Sequence, residues 1–298
     1  MLPAPPLLDG DPSRLGGYRL LGRLGQGGMG VVYLGRDHDD RLVAIKVIRP
    51  ELAANHDYLA RFRREVELGR KVRGRFVAEV LDAGVDAERP YLVTAYIDGE
   101  TLQARVRRRS ALPPAEVGPL AAGMAAALAS IHAAGLVHGD LKPGNVLLEA
   151  EGLRVIDFGV ARAVGGRRGD ATTAIRSGTP EFMAPEQFEG VGVGPAADLF
   201  AWGGLLIYAS TGRPPFGDKG QPGGVEALER RVRYQQPDLA ALPSELREPA
   251  AGALAKLPSG RPTARALAER LGAEPPPGRL RAAAGRITAW TRGRGSRA

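Results

Sequence analysis

The 298-residue chain changes character once, near Asp98 and Gly99. Up to this point its apolar residues fall in short runs rich in Val, Ile and Leu, which favour β-strands. The five runs are YRLLGRL, VVYLG, LVAIKVI, VAEVLDAGV and YLVTAYI. Beyond it, Ala- and Leu-rich segments such as 114–134 and 196–210 are typical of helices, and the second is apolar on nearly every side. The pattern predicts a β-rich unit joined near residues 97–100 to a helical unit, with a cleft between them.

A single helix is predicted to interrupt the strands, over residues 57–72. Leu59, Phe62, Val66 and Val72 recur there at helical spacing among charged residues. One face of this helix is therefore expected to pack on the sheet.

Both ends of the chain have a different composition. Residues 1–17 form a Pro/Gly leader that we predict to be flexible, and residues 273–298 form a basic tail rich in Pro and Arg. The tail is interpreted as a solvated basic segment, with peripheral contact to an anionic membrane through Leu280, Ile287 and Trp290 as the alternative.

Composition excludes several classes of function. With no cysteine, the chain has no disulfide framework, thiolate nucleophile or cysteine zinc site. The net charge of +8 alone would permit nucleic-acid binding, but aromatic residues make up only 5% and no nucleic-acid motif is found, so no such partner is predicted.

A glycine pattern, G-x-G-x-x-G, lies at residues 25–30. A dinucleotide-binding loop of this kind should open a helix, but here Val31 to Leu34 continue as a strand. A P-loop is excluded because the chain has no G-x-x-x-x-G-K-[ST] pattern. The remaining interpretations are a plain turn and a glycine hairpin whose backbone closes over phosphates.

Lys46 lies in the apolar strand VAIK, and Glu65 follows on the predicted helix. A lone lysine usually faces solvent, but an ammonium group held by a carboxylate can hold nucleotide phosphates in place. These two residues are therefore predicted to pair.

The segment HGDLKPGN, residues 138–145, crowds Asp140, Lys142 and Asn145 into one loop. Asp140 can accept a proton from a hydroxyl, Lys142 can neutralise charge on a transferred phosphoryl group, and Asn145 offers an oxygen to a metal. Asp157, in the sequence DFG after the next predicted strand, offers a second metal ligand.

Taken together, these motifs resemble those of the protein kinase family, specifically the eukaryotic-like bacterial Ser/Thr kinases. The resemblance covers residues 18–271 and implies an α+β, two-lobed protein kinase fold. The small β-rich N-lobe with one helix would span residues 18–96, and the larger, mainly helical C-lobe residues 97–272. The matching segments are LGQGGMGVV (24–32), VAIK (43–46), Glu65, HGDLKPGN (138–145), DFG (157–159), SGTPEFMAPE (177–186), DLFAWG (198–203) and RPTA (261–264).

The resemblance further implies ATP and Mg²⁺ as cofactors. Asp140 would be the catalytic base, supported by Lys142, Lys46 and Glu65, while Asn145 and Asp157 would bind magnesium. The implied nucleotide-binding residues are Leu24, Gly25, Gly27, Gly30, Val32, Ala44, Lys46, Thr94, Ala95, Tyr96, Ile97 and Leu147.

Outside the nucleotide site, the resemblance implies that Glu186 and Arg261 form a buried ion pair and that Asp198 anchors the catalytic loop. Lys142 and Thr179 are similar to those of Ser/Thr kinases. One departure is Gly139, where the family often has an arginine that receives an activation-segment phosphate. Phosphorylation at Thr172 or Thr173 is therefore expected to be a weaker on-switch, unless Arg162 or Arg176 substitutes.

The resemblance implies phosphoryl transfer from MgATP to Ser/Thr hydroxyls of proteins, including the chain itself through self-association. The alternatives are a nucleotide-binding scaffold without turnover, of the pseudokinase type, and a small-molecule phosphotransferase, which would lack the SGTPEFMAPE segment. The cytoplasm is the expected location.

Overall fold

The structure is a computed structural model that describes residues 4–28, 30–150, 152–158, 179–190 and 193–273. The predicted two-lobed α+β architecture is confirmed. The N-lobe is an antiparallel sheet in the order β1-β2-β3-β4-β6-β5. Its strands are β1 (Arg14–Leu15), β2 (Tyr18–Gly27), β3 (Gly30–Arg36), β4 (Leu42–Ile48), β5 (Val80–Gly84) and β6 (Tyr91–Ala95).

Two helices lie between β4 and β5, a short α1 (Pro50–Ala53) and α2 (His56–Gly69). The Asn55 side chain caps α2 by accepting a hydrogen bond from Tyr58 N at 3.0 Å, so the helix starts one residue before the predicted position. Phe62 and Val66 are 1% and 4% exposed, which confirms the predicted packing face.

The described part of the leader, residues 4–17, has mostly exposed side chains, but a few of them contact the sheet. Leu15 pairs with Tyr18 across β1 and β2, and Leu7 and Leu15 contact a small apolar cluster around Tyr33, Val43 and Ile45. The sequence suggested flexibility because Pro and Gly prevent regular structure. However, single apolar and charged side chains can still fix an irregular segment on a sheet.

The C-lobe begins with a small sheet of β7 (Glu100–Thr101), β8 (Val146–Glu149) and β9 (Gly152–Val155). Its helices are α3 (Leu102–Arg109), α4 (Pro114–Ala133), α5 (Pro185–Phe188), α6 (Pro195–Thr211), α7 (Gly224–Tyr234), α8 (Ser244–Ala253) and α9 (Ala264–Arg270).

Helices α4 and α6 form the centre of this lobe. Trp202 on α6 is fully buried and donates from Nε1 to the carbonyl of Ala121 on α4 at 3.0 Å. By length and composition α4 could cross a membrane, but 67% of its most apolar window is buried inside the protein. Such burial is typical of a core helix. These two helices are the rigid base beneath the loop that carries Asp140.

Candidate active site

The loop between α4 and β8 brings Asp140, Lys142 and Asn145 together. Lys142 Nζ lies 2.6 Å from Asp140 Oδ2, and Asn145 Nδ2 donates to the Asp140 carbonyl at 2.8 Å. About a quarter of the Asp140 side chain is exposed, so a hydroxyl group can reach the carboxylate. The loop thus offers a proton acceptor beside a cation, as the sequence predicted.

Asp198 on α6 holds this loop from below, which confirms its predicted anchoring role. Its carboxylate accepts hydrogen bonds from the backbone N–H groups of His138 and Gly139, both at 2.8 Å. It also lies 2.7 Å from His132 Nε2 on α4, a contact that the sequence did not reveal, because 66 residues separate the two side chains.

His138 ties the catalytic loop to the strand end that carries Asp157. Its Nε2 lies 3.1 Å from the Ile156 carbonyl, and Ile156 N donates to the Asn145 carbonyl at 3.0 Å. Burial lowers the pKa of His138, against the opposing effect of Asp198, Asp140 and Asp157. The imidazole is therefore neutral at pH 7 and acts in packing.

Lys46 and Asp157 meet across the cleft. Lys46 Nζ, on β4, lies 3.2 Å from Asp157 Oδ1, and the Lys46 side chain is only 14% exposed. Asp157 has a left-handed backbone conformation with φ of 59°, which costs a non-glycine residue roughly 1–2 kcal/mol. Left-handed strain of this kind is common where an active site must aim a side chain.

The predicted pair between Lys46 and Glu65 is not formed in this structure. Glu65 is 7% exposed, and its Oε2 has no hydrogen-bond partner among the described residues. Burial raises the pKa of Glu65 to about 8, with Arg61 opposing. In this conformation Lys46 pairs instead with Asp157, whose side chain is one-third exposed.

Several of the predicted nucleotide-binding residues lie on neighbouring strands of the N-lobe sheet. Ala44 on β4 pairs with Thr94 on β6, and Val32 on β3 pairs with Lys46. Leu147 pairs with Thr101 in the separate sheet of the C-lobe. The registers of the N-lobe sheet thus bring Val32, Ala44 and Thr94 together, and Leu24 lies on β2 of the same sheet, 39% exposed.

The connection between the lobes presents a free backbone donor. Ala95 N is bonded to the Glu79 carbonyl at 3.0 Å, whereas Ile97 N has no hydrogen-bond partner within the described chain. Burial, reinforced by Asp98, raises the pKa of Tyr96. Ile97, one of the predicted nucleotide-binding residues, thus has a backbone N–H available to a ligand.

The three glycines of the G-x-G-x-x-G pattern have different surroundings. A Cβ at Gly30 would lie 1.8 Å from the Val47 carbonyl oxygen, so this glycine lets β3 approach β4. At Gly25 and Gly27, a Cβ would meet nothing within 4 Å. The turn joining β2 and β3 is open at these positions, which leaves room for a ligand.

The predicted ion pair of Glu186 and Arg261 is confirmed. Arg261 Nη1 and Nη2 lie 2.6 and 2.8 Å from the two Glu186 oxygens, and the Arg261 side chain is fully buried. Such a two-pronged contact fixes geometry as well as charge. It attaches α5 to the loop before α9.

Gln187 links α5 to the catalytic loop and was missed from the sequence. Its Oε1 accepts from Ala184 N at 2.9 Å, and its Nε2 donates to the Gly139 carbonyl at 3.4 Å. The side chain is buried, so these bonds are protected from water. Gly139 is thus held between Gln187 and Asp198 at the position where the family often has an arginine.

This arrangement bears on the role of Thr172 and Thr173, which lie outside the described residues. Because Asp198 and Gln187 already fix the loop, replacing both threonines by Ala should lower kcat by no more than about fivefold, the low end of typical allosteric coupling. Steady-state kinetics, with phosphate content measured by mass spectrometry, checks this. Near-complete loss of activity would contradict it.

Three comparisons place the chain among known proteins. The model of the protein kinase domain matches residues 18–271. The chain is 44% identical over 282 residues to the probable serine/threonine-protein kinase PkwA of Thermomonospora curvata, covering 91% of this chain and 37% of the relative. It is 45% identical over 257 residues to the serine/threonine-protein kinase AfsK of Streptomyces coelicolor, covering 86% and 32%.

The solved structures agree with these relatives. The crystal structure of the Mycobacterium tuberculosis PknI kinase domain superimposes with a TM-score of 0.65 at 27% identity, covering 89% of this chain and 98% of that domain. The chain spans about a third of the length of the curated relatives it matches. From the match over residues 18–271 and the assembled motifs, the chain belongs to the protein kinase domain family, and it is similar to the bacterial serine/threonine kinases.

Proposed function

We propose that this chain transfers the γ-phosphoryl group of MgATP to Ser or Thr hydroxyls of proteins, itself included. The observation that carries the proposal is the placement of Asp140 beside Lys142, on a loop tied through His138 and Ile156 to the strand end that carries Asp157. The names of the two relatives, both serine/threonine-protein kinases, support the same activity.

Each charged residue has a separate task in this reaction. Asp140 accepts the proton of the incoming hydroxyl as its oxygen bonds to the γ-phosphorus, while the bond from that phosphorus to the β-phosphate oxygen breaks and ADP leaves. Lys142 stabilises the charge on the transferred phosphoryl oxygens. Lys46 holds the phosphates of the nucleotide, since its ammonium is already directed into the cleft toward Asp157. No covalent enzyme intermediate is needed, because catalysis rests on position and charge.

The oxygen donors fit a magnesium ion. Asn145 uses its Nδ2 to hold the Asp140 carbonyl, which leaves its Oδ1 for a cation, and the Asp157 carboxylate is one-third exposed. Carboxylate and amide oxygens are ligands that magnesium prefers. When bound, the ion would supply positive charge that offsets the negative charge of the phosphates.

Labelled ATP tests this proposal. Purified chain is incubated with γ-labelled ATP, magnesium and a Ser/Thr-rich acceptor protein, and hydrolysis of the product identifies the labelled amino acid. We expect phosphoserine or phosphothreonine from the wild type and none from the Asp140→Asn variant. A wild type that binds nucleotide but transfers no label would instead support the scaffold alternative.

Partners and location are further proposals. Mixing an inactive Asp140→Asn chain with active chain tests self-association, since label on the inactive copy requires contact between two copies.

Residues 278–298 lie outside the described residues; unchanged liposome cosedimentation upon their deletion would remove the membrane alternative. The cytoplasmic location is compatible with the lack of cysteine and is tested by cell fractionation.

A further inference from the structure

The segment before the kinase domain is attached to the sheet at the base of the glycine turn. The matched domain begins at Tyr18, so residues 4–17 lie outside it. Their contacts concentrate on β2 and β3, the two strands that lead into and out of the glycine turn. Asp11 is at the centre of these contacts.

The Asp11 carboxylate accepts four hydrogen bonds. Oδ2 accepts from Arg23 Nε at 2.7 Å and from Leu8 N at 2.8 Å. Oδ1 accepts from Arg23 Nη2 and from the Tyr33 hydroxyl, both at 2.7 Å. The Asp11 side chain is only 4% exposed, and the Arg23 hydrogen bonds hold its pKa well below the usual range, so the group stays ionised near neutral pH.

The two partners of Asp11 face each other across the hairpin. Arg23 on β2 and Tyr33 on β3 are register partners, and the pairing shifts between Arg23 and Gly25, which marks a bulge at Leu24. Bulges re-aim side chains where regular pairing ends. One carboxylate therefore joins both strands at the point where Leu24, a predicted nucleotide-binding residue, leaves the ladder.

Two further contacts extend this attachment. Arg23 N donates to the Pro5 carbonyl at 2.8 Å, so the leader occupies the outer side of β2. Arg23 Nη1 also reaches Gln26 Oε1 at 3.3 Å, inside the glycine turn. The arginine thus connects the leader directly to the turn.

Gly22 shows that β2 is shaped to receive the leader. A Cβ at this position would lie 2.4 Å from the Pro5 carbonyl oxygen and 3.1 Å from Ala4 Cβ. No other neighbour is nearer than these two leader residues, and Gly22 does not require a positive φ. The absence of a side chain at position 22 is therefore required only by the contact with the leader.

We propose that residues 4–13 act as a clamp on the glycine hairpin and that Asp11 is a positioning residue for nucleotide binding. By joining Arg23 to Tyr33 beside the bulge, the clamp limits how far the hairpin opens from the cleft. A hairpin held near its nucleotide-bound position loses less conformational freedom on binding, which strengthens affinity. This inference rests on the proposed function only in that the ligand is MgATP.

The test uses the full chain with Asp11→Ala, Gly22→Ala and the double variant. Asp9→Ala is the matched control, since Asp9 is exposed and has no hydrogen bond or ion pair among the described residues. Calorimetry gives the Kd for MgADP, and hydrogen exchange gives the opening of residues 24–32. Should Asp11→Ala not fold, Asp11→Asn replaces it, because it preserves the shape of the side chain.

Each single variant should raise the Kd about 3- to 30-fold, the range seen for residues that couple to a site without touching its ligand. Exchange across residues 24–32 should accelerate, and KM should rise for ATP but not for the protein substrate. The double variant should resemble the singles, because both changes release the same segment.

Additive effects, or a lower melting temperature with unchanged Kd and exchange, would overturn the clamp and leave the leader a stabilising element only. Binding and exchange need no turnover. A wild type that binds MgADP and transfers no phosphate would therefore contradict the proposed function while leaving the clamp intact.

Discussion

Replacing Asp140 by Asn should lower kcat by about 10²- to 10⁴-fold, the usual contribution of a positioned general base. Asn has the shape of Asp but cannot accept the proton. The loop should keep its form, because Asp198 and Asn145 hold backbone atoms of residues 138–140 and do not touch the Asp140 carboxylate. The Kd for MgATP should therefore not change.

Rapid-quench kinetics on single turnovers checks this result, with calorimetry for nucleotide affinity. Asp86→Asn is the matched control, since Asp86 is exposed on the turn between β5 and β6. A variant at position 140 that kept more than about a tenth of the wild-type rate would show that no proton acceptor is needed there.

Replacing Glu65 by Gln should stabilise the free protein and weaken the enzyme. Burial raises the pKa of Glu65 to about 8 from its ordinary 4.5. Between these two values the folded chain binds more protons at this site than the unfolded chain, so the free energy of unfolding falls as pH rises. Across this pH range the free energy of unfolding of the wild type falls by on the order of a few kcal/mol. The Gln variant does not ionise and therefore keeps this stability.

Catalysis should respond in the opposite direction. When nucleotide binds, we expect Lys46 to turn from Asp157 to Glu65 and to form an ion pair there. Only the wild type can form this pair, because Gln at position 65 carries no charge. A hydrogen bond to a charged group contributes roughly 1.5–3 kcal/mol, so kcat/KM of the Gln variant should fall at least about tenfold.

Chemical denaturation at pH 5 and pH 8 measures the first effect and steady-state kinetics the second. Glu67→Gln on the same helix is the control, because Glu67 is exposed. Equal stability of Glu65→Gln and wild type at pH 8 would contradict the burial argument, and unchanged kcat/KM would remove Glu65 from the catalytic set.

Much of this site could be predicted because its chemically important residues lie within short segments of the sequence. Asp140, Lys142 and Asn145 lie within six residues, so a single loop brings them together whatever the rest of the fold does. The register of β4 with β6 then places Ala44 opposite Thr94, as alternating apolar strands of one sheet allow. The buried pair of Glu186 and Arg261 was available only through the family resemblance, since 75 residues separate them.

Other contacts could not be predicted, because they depend on how segments that are distant in sequence pack against one another. His132 reaches Asp198 only after α4 and α6 pack together, and Gln187 reaches Gly139 only once α5 is packed beside the catalytic loop. A sequence pattern records the type and spacing of residues but not the distance between elements.

The sequence by itself determined the two-lobed architecture, the order of the motifs and the residues available for phosphoryl transfer, because periodicity and local chemistry are properties of neighbouring residues. Only the tertiary structure decided that Lys46 meets Asp157 and that Glu65 is buried with its Oε2 unbonded among the described residues. It also decided that Asp11 fastens the leader to Arg23 and Tyr33. The physical reason is that charge pairing and burial depend on distance and solvent access, which arise only when distant parts of the chain pack together.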